Sequence, residues 1–308
     1  MNRSGPPATD TVMKFSRRKR RRGALYSLRS LLRSRRPQQA VHTLANRATL
    51  YAHGGDFFPA LFAALDAAAT VIRAEFYIVR ADATGARFAR ALRDAANRGV
   101  DVALIYDTVG CFDTPSGYFH ELAAAGVRCL AFNPPAFRRL HWLDVRNHRK
   151  VAVIDGRTAF LGGINVGDEY AGFGDSLARW RDLGVRVDGP AAAELDAIFR
   201  QTWVREGQAE LAPCAAPPAG AGAADLTLVN GTPHQRRSVI RRSFSLTMAA
   251  ARHSIRIVTP YFLPGPRVLR ALLRAVRSGV QVQLLLPSVS DIPLVQLVGR
   301  AWLRPLLQ

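Results

Sequence analysis

A strand–helix–strand pattern occurs twice in the chain. The first copy, IRAEFYIVRADATGARFARALRDAANRGVDVALIYD, begins at Ile72, and the second, IRIVTPYFLPGPRVLRALLRAVRSGVQVQLLLPS, begins at Ile255. An Arg-Ala-Leu triplet in the helices and the Gly-Val-x-Val that follows them match at an offset of 180 residues. Generic units of this kind often share Arg, Ala and Leu, but the matched Gly-Val-x-Val favours duplication. We therefore predict two related lobes.

The same pattern divides the chain into four parts. Residues 1–46 form a basic tail, residues 47–206 a first α/β lobe, residues 207–228 a linker rich in Ala, Pro and Gly, and residues 229–308 a second lobe. Strands that alternate with helices predict a parallel-rich sheet with helices on its faces. With 48% hydrophobic residues the chain can fill a substantial core, so it is predicted to be globular.

Positive charge is concentrated in the tail. The formal net charge is +20, and the first 36 residues contain 12 Lys or Arg but only one acidic residue, Asp10. Leu25, Leu28, Leu31 and Leu32 recur at helical spacing among these cations, which is typical of a helix that lies on an anionic membrane surface. A solvated disordered tail and a tail that binds nucleic acid are the open alternatives.

Composition disfavours three kinds of protein. The three cysteines form no CxxC pair and the histidines form no cluster with metal-ligand spacing, so neither a zinc site nor a disulfide framework is predicted. The chain contains no run of 18 apolar residues, so no transmembrane helix is predicted.

The segment RNHRKVAVIDGRTAFLGGIN, residues 146–165, combines a histidine and a lysine of the kind found in catalytic sites with an apolar strand. On an extended strand, side chains two residues apart share a face, so His148 and Lys150 project in the same direction. This pair suits a phosphodiester: Lys150 neutralises phosphate oxygens, and its charge favours an unprotonated His148 that can attack phosphorus. Asp155-Gly156 predicts a hairpin turn between two strands.

The spacing H-x-K-x4-D, followed by Gly-Gly-x-Asn, resembles the signature of the phospholipase D superfamily. The stretches RWRDLGVRVDGPAA and TPYFLPG resemble bacterial cardiolipin synthases, and the layout is similar to the short form without transmembrane helices. The resemblance covers residues 47–308 and implies lobes with the phospholipase D-like α/β/α sandwich fold. It also implies that His148 forms a phosphohistidine, that Lys150 and Asn165 hold the phosphate, and that no metal or other cofactor is needed.

Two acidic residues complete the set of candidates. Asp155 has the position of a turn-forming residue, whereas the resemblance implies a role in setting the site, and we group it with His148 and Lys150 as a candidate catalytic residue. Glu169, four residues after Asn165, is a candidate partner that would orient the His148 ring.

Cardiolipin synthases carry two such motifs, one in each lobe. By this resemblance one histidine attacks and the other protonates the leaving alcohol. The sequence contains one motif, and the repeat offset places its counterpart near position 328. We therefore expect a truncated second lobe, and we expect these 308 residues to lack the general acid.

Three functions follow from these expectations. The first is cardiolipin synthesis from two molecules of phosphatidylglycerol by a peripheral protein on the cytoplasmic side of the bacterial membrane. The alternative is a single-motif phosphodiesterase or nuclease that completes its site as a homodimer. Nucleic acid suits the net charge of +20, but much of that charge lies outside the first lobe. The third is an inactive remnant that associates with membranes.

Overall fold

The computed structural model of the chain describes residues 13–15, 40–132, 146–172, 180–215, 220–231, 239–290 and 292–307. The membrane-surface helix predicted in the basic tail lies outside these residues. The chain divides into two compact units. One is Val41–Leu228, and the other includes residues 13–15 and 239–307.

An eight-stranded mixed sheet forms the centre of the first unit. In chain order its strands are β2 (Ala40–Tyr51), β3 (Val71–Phe76), β4 (Asp101–Asp107), β5 (Arg128–Phe132), β6 (Val151–Ile154), β7 (Thr158–Gly162), β8 (Gly184–Asp188) and β9 (Ala224–Val229). Across the sheet the order is β5-β4-β3-β6-β7-β8-β2-β9. Strands β3, β4 and β5 are parallel, whereas β6 pairs antiparallel with β3, and β7, β8 and β2 continue the antiparallel pattern.

Helices cover both faces of this sheet. They are α1 (Gly54–Asp66), α2 (Ala83–Asn97), α3 (Ser116–Ala124), the short α4 (Asp168–Ala171) and α5 (Pro190–Arg205). The larger core packs α1, α2 and α3 against one face, where Phe57 meets Phe160 edge to face at 5.6 Å. On the other face α5 places Phe199 and Trp203 against the β4 residue Ile105. The predicted α/β fold class is confirmed, with a mixed rather than largely parallel sheet.

Local sequence accounts for the repeated elements. The Asp82 side chain accepts a hydrogen bond from the backbone N–H of Gly85 at 2.9 Å and so caps the start of α2. Helix α2 is followed by Gly99 at φ 86°. In the second unit, helix α7 (Gly265–Arg277) is followed by Gly279 at φ 84°. A left-handed backbone conformation at the end of a helix favours glycine, which explains why the Gly-Val pair occurs in both copies of the repeat.

The second unit contains a three-stranded sheet in the order β1-β11-β10. Strands β10 (Ser254–Val258) and β11 (Gln281–Leu285) are parallel and flank α7, so the second copy has the same order of elements as β3–α2–β4. Strand β1 (Met13–Phe15), from the segment predicted as a tail, pairs antiparallel with β11. Helices α6 (Val239–Ala250) and α8 (Pro293–Leu307) complete the described part of this unit.

Two segments differ from their sequence predictions for physical reasons. Strand β2 begins at Ala40, inside the segment predicted as a tail. The apolar pattern does not show this start because inward positions there are polar: Asn46 is fully buried and accepts a hydrogen bond from the backbone N–H of Ala191 at 2.9 Å. The segment predicted as a linker belongs to the first unit, where Leu211 packs with the α5 aromatic residues and residues 224–229 form β9.

Among the helices of the described residues, none has both the length and the apolar character needed to span a bilayer.

Candidate active site

The site lies at one edge of the large sheet, where the ends of five strands, β3, β4, β6, β7 and β8, lie side by side. Strands β3 and β4 end at this edge, and β6, which runs the opposite way beside β3, begins there. Strand β7 ends there with Gly162, while β8 begins there with Gly184. The topology therefore brings His148 and Lys150, which directly precede β6, close to the residues that follow β3, β4 and β7.

His148 and Lys150 are both arranged around Tyr77, the residue after β3. The Tyr77 and His148 rings have centroids 4.8 Å apart, and the Lys150 ammonium lies 5.1 Å from the centre of the Tyr77 ring. Lys150 is buried and its Nζ donates to the backbone carbonyl of His148 at 2.8 Å, while His148 retains solvent access. An accessible imidazole thus lies beside a buried cation, as expected of a nucleophile next to a phosphate-binding group.

The surroundings favour a neutral imidazole. Partial burial and then the charge of Lys150 lower the pKa of His148 to about 4, and the carboxylate of Asp107 acts in the opposite direction. Burial also lowers the pKa of Lys150 to about 8, although Asp182 and Asp107 raise it. Near neutral pH, His148 is therefore unprotonated and able to attack, and Lys150 carries its charge.

Asn165 is fixed by two hydrogen bonds. The backbone between residues 78 and 80 runs beside residue 166, and within this pairing Asn165 Oδ1 accepts from the backbone N–H of Ile78 at 3.0 Å. Its Nδ2 donates to the Tyr170 hydroxyl at 2.9 Å. Among the described residues these are the two hydrogen bonds of its side chain, and the amide nitrogen has a second hydrogen.

Gly163, the second glycine of the Gly-Gly pair, leaves room for the Asp182 carboxylate at this edge. A Cβ atom at Gly163 would lie 2.1 Å from Asp182 Oδ1, so any other residue would displace the Asp182 carboxylate. Glycine therefore allows the segment before β8 to approach closely and to bring the Asp182 charge within range of Lys150.

Two buried carboxylates hold the segment that contains the motif. Asp107, at the end of β4, accepts from the backbone N–H of Asn147 at 2.9 Å and from Arg146 Nη1 at 3.2 Å. Glu75, on β3, accepts from the Asn147 amide and from Arg149 Nη1, the latter at 3.0 Å. Both arginines are therefore paired with carboxylates, which largely compensate their positive charge.

Asp155 lies in the turn between β6 and β7, away from His148. The four residues of β6 lie between it and Lys150, so the two are five residue steps apart, about 16 Å along an extended chain. Its carboxylate accepts hydrogen bonds from the backbone N–H groups of Ala69, Thr70 and Val71 at 2.7–3.0 Å. These contacts are those of a residue that anchors the start of β3, and the structure does not bring Asp155 together with the other motif residues.

Glu169 lies in α4 and faces Arg80. Its Oε1 pairs with Arg80 Nε at 3.4 Å, and the same guanidinium contacts Asp113 at 3.1 Å. Among the described residues, none forms a hydrogen bond with the His148 ring, so the expected orienting contact from Glu169 is not present. The structure instead associates Glu169 with the loop that follows β4.

Sequence reasoning did not identify Tyr77, Glu75, Asp107 and Asp182. Tyr77 and Asp107 stand directly at the ends of apolar strands, a position at which polar and aromatic residues often serve a site, and this signal could have found them. Glu75 lies within the apolar strand β3, and the contact of Asp182 depends on long-range approach, so neither has a local signature. Within the described part of the chain, no cluster of His, Cys, Asp and Glu could hold a metal ion.

The family described as "Cardiolipin synthase, PLD-like domain" matches residues 61–203 and 246–308. The chain is 36% identical over 271 residues to a cardiolipin synthase of Geobacillus kaustophilus (strain HTA426), covering 86% of this chain and 54% of that protein. It is 38% identical over 253 residues to cardiolipin synthase A of Pseudomonas aeruginosa (strain LESB58), covering 81% and 51% respectively.

Fold and site motif together define a phospholipase D-like protein. The chain belongs to the cardiolipin synthase, PLD-like domain family. It spans about half the length of the curated relatives it matches. A phosphatidylserine synthase structure from Haemophilus influenzae Rd KW20 shares the fold, with a TM-score of 0.55 and 13% identity over 78% of this chain and 61% of that chain.

Replacing Asp155 with alanine is expected to destabilise the protein. Hydrogen bonds from the backbone of Val71, Ala69 and Thr70 outweigh burial and lower the pKa of Asp155. Loss of the carboxylate leaves these N–H groups unpaired, so the free energy of unfolding should fall by about 1–3 kcal/mol. Urea denaturation measures this. Asp113→Ala, which removes an exposed carboxylate, is the control, and an equal effect of both variants would contradict the anchoring role.

The lowered pKa of Asp155 makes its contribution to the stability of the fold depend on pH. Since its folded pKa is lowered, its contribution to stability is fully present above the unfolded value of about 3.9 and is lost as pH falls through the folded value. The difference in stability between wild type and Asp155→Ala should therefore shrink in acid.

His148 is expected to remain neutral at pH 5.5, where an unperturbed histidine is mostly protonated. A pKa of about 4, lowered by burial and by Lys150, requires this result. Imidazole NMR resonances, with the His148 signal assigned by its loss in His148→Ala, report the protonation state. Lys150→Met should raise the pKa because it removes the neighbouring charge. A His148 signal that titrates near pH 6.5 in the wild type would contradict the electrostatic description.

Proposed function

We propose that the protein transfers phosphatidyl groups, as part of a cardiolipin synthase that joins two molecules of phosphatidylglycerol into cardiolipin and glycerol. The observation that carries this proposal is the accessible neutral His148 beside the buried, charged Lys150. Membership of the cardiolipin synthase, PLD-like domain family supports the lipid substrate.

In the first step a ring nitrogen of His148 attacks the phosphorus of phosphatidylglycerol. An N–P bond forms, the P–O bond to glycerol breaks, and glycerol leaves with a proton from a general acid. Lys150 and the second amide N–H of Asn165 hold the phosphate oxygens as negative charge develops on them. Tyr77 contacts both the His148 ring and the Lys150 ammonium and so holds the two groups next to each other.

In the second step the glycerol hydroxyl of another phosphatidylglycerol attacks the phosphohistidine. A P–O bond forms, the N–P bond breaks, and the hydroxyl proton returns to the group that protonated glycerol. The products are cardiolipin and a free His148. The proton donor is proposed to be the histidine of a second motif, as the family resemblance implies, carried by a further lobe or by a second copy of the chain.

Exposed apolar side chains at the active edge, by which we mean the edge of the large sheet that contains His148, support a lipid substrate. Phe112 follows β4, Trp180 and Leu183 precede β8, and Leu50 is near the end of β2; they are 76%, 43%, 59% and 73% exposed. All four lie at the sheet edge that contains His148, on both sides of it. Apolar surface around a site favours a lipid aggregate over a polyanion in water.

The charges at this edge argue in the same direction. Nucleic-acid binding depends on cations that neutralise successive phosphates. The described arginines nearest the motif are engaged instead: Arg146 with Asp107, Arg149 with Glu75, and Arg80 with Glu169 and Asp113. The protein is accordingly proposed to associate peripherally with anionic membranes on the cytoplasmic side in bacteria, with the basic tail adding electrostatic attraction.

Incubation with phosphatidylglycerol vesicles should label His148 with an acid-labile phosphatidyl group. Mass spectrometry of rapidly quenched digests detects the adduct. It should be absent in His148→Ala and retained in the matched control His120→Ala, an exposed histidine on α3. Trapping the adduct requires only the first step, so the assay does not depend on attack by the second phosphatidylglycerol.

Parallel incubation with single-stranded DNA separates the two substrate classes. A His148-dependent adduct on DNA and none on lipid would replace the phosphatidyltransferase proposal with a nuclease. Cardiolipin formation by the 308-residue chain at a rate second order in protein would favour a homodimeric site.

Leu50→Glu should weaken vesicle binding more than Leu44→Glu. Both leucines are exposed on β2, but Leu50 lies at the active edge and Leu44 toward the far end of the strand. Co-sedimentation with phosphatidylglycerol vesicles at about 0.5 M salt suppresses the electrostatic contribution of the tail. Loss of one apolar contact is expected to reduce partitioning about three- to tenfold. Equal effects of the two variants would show that this edge does not face the lipid.

A further inference from the structure

Asp107 joins two segments of the active edge. It is the last residue of β4 and is fully buried. Besides its contacts with Arg146 and the backbone of Asn147, its Oδ1 accepts from the backbone N–H groups of Val109 at 2.9 Å and Gly110 at 3.2 Å. One carboxylate therefore ties the loop after β4 to the residues that immediately precede His148.

The His148 segment depends on such contacts because it lies outside the sheet. Ladder pairing of β6 with β3 begins at Val151, so residues 146–150 have no strand neighbour within the part of the chain that the structure describes. A buried carboxylate with four hydrogen bonds is a strong alternative anchor, since leaving it or its donors unpaired is costly. The anchored residues, Arg146 and Asn147, stand directly before His148.

We propose that Asp107 is a positioning residue of the site, holding the backbone before His148 so that His148 and Lys150 stay together against Tyr77. This inference rests on the proposed function for its effect on the reaction. The anchoring itself is a property of the fold and can be measured without any substrate.

Asp107 also acts on the site through its charge. Lys150 is surrounded by Tyr77, His148, Asp182 and Asp107, and both carboxylates raise the pKa of the lysine against the effect of burial. Removing the charge of Asp107 should therefore make Lys150 lose its proton at lower pH. A residue that only stabilised the fold would not have this effect.

Glu75 supplies the matched control. It is buried like Asp107 and binds the same segment through Asn147 and Arg149, but it is not among the charges that shift the pKa of Lys150. Asp107→Asn and Glu75→Gln each remove one buried negative charge while nearly preserving shape. Only the first acts on the contact with the backbone N–H of Asn147, because asparagine offers one acceptor oxygen where two carboxylate oxygens serve four donors.

Lysine NMR gives the first test. The sequence contains three lysines, Lys14, Lys19 and Lys150, so 13C-labelled lysine yields few signals, and Lys150→Met assigns the one of interest. The Lys150 midpoint, near pH 8 in the wild type, should move to lower pH in Asp107→Asn and stay unchanged in Glu75→Gln. No movement in Asp107→Asn, or equal movement in both variants, would overturn the proposal.

Amide exchange and adduct formation give the second test. The backbone N–H of Asn147 should exchange with solvent faster in Asp107→Asn. The phosphatidyl adduct on His148 should form about 10–100-fold more slowly, as expected for a misplaced nucleophile. Unchanged exchange, or an unchanged rate of adduct formation, would overturn the positioning role. If the wild type forms no adduct, the proposed function fails, while the exchange and lysine measurements still decide whether Asp107 anchors the segment.

Should Asp107→Asn fail to fold, Arg146→Gln removes one contact and leaves the buried carboxylate in place. Asn147 exchange should again accelerate. Unaltered exchange in this variant would overturn the proposal as well.

Discussion

The antiparallel pairing of β6 with β3 is the constraint on which the site depends. Strands β3 and β4 run parallel and end at one edge of the sheet, so a parallel neighbour would begin at the opposite edge. Because β6 runs the other way, its first residues meet the ends of β3 and β4. That reversal places His148 and Lys150 beside Tyr77 and within reach of Asp107, and it changes a parallel α/β sheet into a mixed one.

A balance of buried charges then determines the chemistry of the edge. Burial lowers the pKa of both His148 and Lys150, which favours a neutral imidazole but also works against the charge of the lysine. Asp107 and Asp182 offset the second effect. The arrangement therefore separates two groups that respond in the same direction to burial, leaving one neutral and the other charged near neutral pH.

Much of this could be predicted from the sequence, for identifiable reasons. The repeat and the alternation of apolar strands with amphipathic helices are local patterns, and they predicted the fold class. The motif spacing predicted that His148 and Lys150 act together, because a period of two is a property of any extended chain. Glu75 was hidden within an apolar strand, and the approach of Asp182 to Gly163 depends on contacts distant in sequence. Asn46 hid the start of β2 in the same way, because a buried polar residue with satisfied hydrogen bonds has no hydrophobic signature.

The position of Asp155 gives the motif spacing a mechanical meaning. Lys150 precedes β6 and Asp155 follows it, so the four residues between them are the entire strand. One end of the strand is fixed by the Asp155 carboxylate on the backbone of β3, and the other end delivers the lysine. An insertion or deletion of one residue would turn every intervening side chain to the opposite face and carry Lys150 out of the site. The interval in the signature therefore matches the distance between the Asp155 anchor on β3 and the sheet edge that contains Lys150.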